Sequence, residues 1–195
     1  MLLVASAIWG IAGPVIKFTL SELPAITFLL YRFTLAGILA LSTLPFIKLR
    51  LPKDPKHLAL IFLYCFLTTT VSLGLLFLGF EKTTSLVGTL ISAIYPALAA
   101  AAGVLFLGEH VTKRELLGIT ITVAGTTLIV LDPLILNGST DTTTLIGNLL
   151  VFASLLVGVV VAIMAKLILR HETSPLALTQ LSFLVGLITI TPVAL

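Results

Sequence analysis

Seven apolar runs, each close to twenty residues long and joined by short polar connections, fill almost the whole chain: roughly Leu2–Leu20, Ala25–Ile47, Leu58–Phe80, Ser85–Leu107, Leu116–Leu134, Leu145–Leu169 and Pro175–Leu195. A helix needs about 20 mainly apolar residues to cross the hydrocarbon core of a bilayer. In lipid, only a helix or a closed barrel satisfies its own backbone groups. The pattern therefore predicts an all-α integral membrane protein, a multi-span helical bundle. No connection is long enough to hold a soluble domain. Composition agrees, since only 10% of the 195 residues are charged and 58% are hydrophobic, where a soluble domain carries about 25% charged residues.

The basic residues set direction. Lys48, Arg50, Lys53 and Lys56 lie in the second connection, Lys113 and Arg114 in the fourth, and Lys166 and Arg170 at the end of the sixth span. If the helices alternate, all eight fall on one side. The other side holds Lys17, Lys82 and the loop "LILNGSTDTTTL", which has no Lys or Arg. Basic loops stay cytoplasmic, so the N-terminus is expected in the cytoplasm, in a cell membrane of prokaryotic type. The net charge of +3 then belongs to helix orientation and anionic headgroups, with the bilayer as partner and no nucleic acid. The first run lacks a basic leader and is followed by further spans, so it reads as a span, not a signal peptide. The one cysteine, Cys65, sits in an apolar run and reads as an inert buried thiol.

Charges and helix breakers inside the spans carry the functional expectations. "WGIAGPVIKF" (Trp9–Phe18) places Gly10 and Pro14 about 12 and 18 Å along the first helix. Proline removes a backbone donor and clashes with the carbonyl four residues back, so a break is expected near the midplane, on a face turned to protein or water. Trp9, Gly10 and Pro14 are accordingly candidates to line a substrate cavity. Lys17, near the outer interface, is either a snorkelling side chain or a charge at the outer mouth. Arg32 lies about 12 Å into the second helix, where a charge costs at least ~2.5–3.5 kcal/mol on insertion scales. It is a cavity candidate for a carboxylate or phosphate, against the alternative of a structural arginine bonded to backbone carbonyls. In the fourth span, small residues recur every four positions from Ser85 to Ala101. That spacing suits close helix packing as well as pore lining. Tyr95–Pro96 marks a second irregularity, facing the first, and makes both residues cavity candidates, while Gly118 and Gly125 form one smooth packing face on the fifth helix.

"LLVASAIWG" at Leu2–Gly10 is echoed by "LLVFASLLVG" at Leu149–Gly158, adding Ser154 to the cavity candidates. Five spans separate the two copies, so the second is inverted. Inverted repeats with a site between them are a common secondary-transporter plan. With "LLYRF" around Arg32 and the run "YPALAAAAGVLFLGEHVTKRELLGITITVAGTTLIV", the chain resembles the EamA-type drug/metabolite transporter superfamily. The most specific part is Pro96, Glu109, Gly118 and Gly125. The resemblance implies two inverted five-helix repeats with a central cavity and alternating access. It also implies small-molecule metabolites as substrates, often exported, and no cofactor or metal. Residues 1–134 would form the first repeat, and residues 135–195 the outer loop and the start of the second. Glu109, Gly118 and Gly125 match signature positions and read as structural.

The resemblance implies ten helices where seven are present, so a fragment of a longer protein is expected. The alternative is a truncated, non-transporting membrane protein that assembles with partner helices or as a homodimer. An enzyme is disfavoured: His57, His110 and His171 lie in cytoplasmic connections, no acidic pair lies at the midplane, and no HExxH or GxSxG motif occurs.

Overall fold

The computed structural model describes residues 2–46, 54–108, 110–135, 142–169 and 174–194, with the backbone alone at 2–9 and 132–135. The described residues are helical apart from short turns. Helix α1 runs Leu2–Leu20 and α2 Ala25–Thr43, the latter continued by a 3-10 turn at Leu44–Phe46. Helices α3 (Pro55–Phe66) and α4 (Leu73–Lys82) are joined by a π-helical segment, Leu67–Ser72, into one 28-residue span. Helices α5 (Ser85–Ser92) and α6 (Tyr95–Leu107) form the next span, followed by α7 (Lys113–Ile135), α8 (Thr142–Leu169) and α9 (Pro175–Ala194). Six of these spans are long and apolar enough to cross a membrane, and α1 contributes a further apolar helix.

Several helices begin before their apolar run because polar residues cap them. Asp54 accepts from the Lys56 backbone N–H at 3.1 Å, with Pro55 in the first turn. Thr112 and Glu115 form a reciprocal capping box. The Glu115 carboxylate accepts from the Thr112 N–H at 2.6 Å, and the Thr112 hydroxyl accepts from the Glu115 N–H at 3.3 Å. At the other end of a helix, Gly108 stops α6 in the left-handed region (φ 67°), a conformation only glycine adopts without strain.

The expected break in the first helix is absent. Helix α1 is continuous with Pro14 inside it. Proline there forfeits one backbone bond, and Gly10, with nothing near its missing Cβ, leaves room for the ring. The expected irregularity beside Tyr95–Pro96 is present as a two-residue turn between α5 and α6. An irregularity that the sequence reading did not foresee is the π-helical segment. In "LTTTVS", the Thr68 and Thr69 hydroxyls bond back to the Tyr64 and Cys65 carbonyls, both at 2.7 Å, a bond that competes with the helix's own ladder.

Helix α8 is the axis of the bundle, packed against α4, α5, α6 and α7, while α9 lies on α2 and α3. Lipid tails are as apolar as leucine, so close packing of small residues brings membrane helices together. Glycines supply it at both main crossings. A Cβ on Gly79 of α4 would meet the Val151 backbone N at 2.8 Å and the Gly147 carbonyl at 2.9 Å. One on Gly147 would meet Lys82 and Thr83 backbone atoms at 2.8 and 2.9 Å. Gly186 of α9 sits likewise against Phe33 and Thr69. Gly118 and Gly125, expected to pack, are exposed on α7, with nothing among the described residues within 4 Å of where a Cβ would stand. The smooth face read from their spacing exists, but the tight crossings lie elsewhere.

Candidate functional site

Arg32 projects from α2 with its guanidinium carbon 5.5 Å from the centroid of the Phe77 ring on α4. Phe77 is fully buried and lies 5.3 Å, ring to ring, from Phe28. A cation over an aromatic face is attracted by the ring quadrupole, so this pair holds the charge within the span without neutralising it. Among the described residues, no carboxylate lies within ion-pair distance of Arg32. Its side chain remains exposed beside the exposed Tyr31. The alternative role, bonding to backbone carbonyls, finds no support here. Counted from the turn between α1 and α2, Arg32 and Pro14 lie at similar depth, about 9–11 Å in.

A second polar group lies where the π-helical segment meets α8 and α9, with Tyr95 of α6 beside it. The Ser72 hydroxyl donates to the Ser154 carbonyl at 3.1 Å, and the Tyr95 hydroxyl reaches the Gly158 carbonyl at 3.4 Å. The hydroxyls of Thr70 and Thr189 bond to each other across α9. Tyr95 and Ser154, both cavity candidates, are thus brought into one neighbourhood, with Ser72 beside Gly158 as well. Ser154 enters through its carbonyl. Its hydroxyl is buried and donates to Val151 at 2.6 Å.

The remaining candidates are scattered. Gly10, Pro14 and Pro96 are exposed, and Trp9 has no described side chain. Lys17 is a helix-end ligand: its ammonium donates to the Phe80 and Glu81 carbonyls at 2.9 and 3.1 Å. Those groups lack partners at the end of α4, where a cation also complements the helix dipole. Glu109, Arg170, His171 and the basic residues at 48–53 lie outside the described residues. No group of three or more potential metal ligands occurs among the described residues.

The sequence that folds this way matches a known family over two thirds of its length. The model of the EamA-like transporter family covers residues 1–131. The chain belongs to that family. No curated protein and no solved structure gives a significant match. As an EamA-like protein it is a multi-pass membrane protein of a transporter family, and the bilayer and a small-molecule substrate follow from that membership.

Ser72, Thr70, Thr189 and Asn148 were not singled out by the sequence reading. The signal was present: four hydroxyl residues in the six of "LTTTVS", and a lone amide in an apolar run. Asn148, almost fully buried, accepts from the Thr83 hydroxyl at 2.6 Å and donates to the Val130 carbonyl at 3.4 Å. It ties the α4–α5 turn and α7 to α8.

Proposed function

We propose that this EamA-like chain works as a secondary transporter that moves a small polar or anionic metabolite, in the export direction, by alternating access. Its N-terminus would be cytoplasmic. Residues 1–134 would act as the first five-helix repeat, and α8 and α9 would open an inverted second one. The observation that carries the substrate class is Arg32: a charge held on Phe77 inside a span, with no carboxylate beside it among the described residues. In a low-dielectric cavity such a charge attracts carboxylates or phosphates far more strongly than in water. Tyr95, Ser72 and Thr70 supply hydroxyls for a polar solute at the π-helical segment.

The test is counterflow in proteoliposomes with labelled amino acids and small carboxylates. Arg32→Gln should lower anionic flux at least tenfold, a loss of about 1.4 kcal/mol, while Arg32→Lys keeps part of it. Unchanged anionic flux in Arg32→Gln would remove the anionic reading and leave a neutral polar solute.

A further inference from the structure

Between α6 and α8 lies a partly open groove of about 60 Å³. Its walls are Ala99, Ala102 and Gly103 of α6 and Val159 and Ala162 of α8, and Lys166 stands at one end. None of these residues takes part in the arginine or hydroxyl groups described above. The two helices are the fourth and sixth spans, so they run in the same direction. The groove follows them for about the last 12 Å of α6, from Ala99 to Leu107. Lys166 lies at the end where α6 stops, the end at which α7 begins with the exposed Lys113 and Arg114. An apolar slot at the depth of the lipid tails thus leads to cations at the depth of the headgroups.

Size and chemistry narrow the occupant. The walls are apolar apart from Lys166 and offer water almost no polar partners. A helix, about 10 Å across with its side chains, is far too wide. A hydrocarbon chain is the narrowest apolar group that a bilayer supplies. We propose that the groove binds one acyl chain of an anionic phospholipid, with the lipid phosphate lying against Lys166. Lys113 and Arg114 add positive charge at the same membrane level. A basic side chain near an anionic headgroup is worth roughly a fivefold preference.

The probe is phosphatidylglycerol against phosphatidylcholine with matched acyl chains, offered at equal concentration to the full chain in detergent and read by native mass spectrometry. Phosphatidylglycerol should be retained about fivefold over phosphatidylcholine. Lys166→Gln should bring that ratio close to one. Ala162→Leu, which fills the slot from a partly exposed position, should lower the retention of both lipids, and an unchanged melting temperature shows that each variant is folded. Equal retention of the two lipids by the unaltered chain would overturn the proposal. So would a preference that survives Ala162→Leu, since the lipid would then sit elsewhere. A dimer mass without bound lipid would overturn it too, by giving the face to a second copy.

Discussion

Asn148 is the residue whose partners matter most to its own burial. A side-chain amide in an apolar interior costs free energy unless each end is bonded, and here Thr83 and Val130 serve its two ends. Asn148→Ala leaves the buried Thr83 hydroxyl without its acceptor. We expect a loss of about 1–2 kcal/mol, set by the cost of an unsatisfied buried group and the modest value of such bonds in membranes. Thermal unfolding in detergent checks it, and no change in melting temperature would contradict it. At the membrane surface, Asp54 is the residue with a stated pH response. Its bond with the His57 ring, at 2.9 Å, and then the Lys56 N–H hold its carboxyl below the usual carboxylate range. A lowered folded-state pKa means that this contribution is complete above the ordinary aspartate range and is lost as pH falls through the folded value. In Asp54→Asn the melting temperature should therefore be slightly lower on the neutral side, where this contribution is present, and should converge with that of the unaltered chain on the acid side, so that the profile flattens.

Among the elements, the close crossing of α4 and α8 decides packing. Gly79 meets backbone on α8, and backbone cannot step aside as a side-chain tip can. Gly79→Leu should therefore sharply reduce the yield of folded protein and its melting temperature, by more than the 1–3 kcal/mol typical of an overpacked core. Gly118→Ala offers the contrast. It is an exposed helix-interior site with open space, where alanine should stabilise by about 0.5–1 kcal/mol. Melting both variants side by side distinguishes the crossing glycines from the signature glycines. The π-helical segment is of the same kind as the glycine crossings: its hydroxyls make contacts between helices that leucines in those positions would not make.

For the whole molecule the question is sidedness. The basic ends of the spans argue for a cytoplasmic N-terminus. In a Cys65→Ser background, Glu22→Cys should react with a membrane-impermeant thiol reagent added to intact cells, and Lys113→Cys should not. The opposite pattern would invert the proposed topology and the direction of transport argued from it. Both positions are exposed in the fold, so silence at either would not come from burial.

Span number, helix class and membrane residence were legible in the chain itself, because lipid allows few solutions to a run of twenty apolar residues. Proximity was not. Ser154 and Tyr95 were named from unrelated features, a repeat and a proline, yet they meet at the π-helical segment, which no spacing rule announced. Lys17 read first as a snorkelling residue, with a mouth charge as the other reading, until the last carbonyls of α4 were found beside it. Pro14 looked like a break, but a helix with an open glycine one turn before it absorbs a proline. Periodicity reports what each helix buries and says nothing of the neighbour that buries it. Only the tertiary structure decided that Gly79, Gly147 and Gly186 would be crossings while Gly118 and Gly125 stayed open, because close approach belongs to a pair of helices and not to either one.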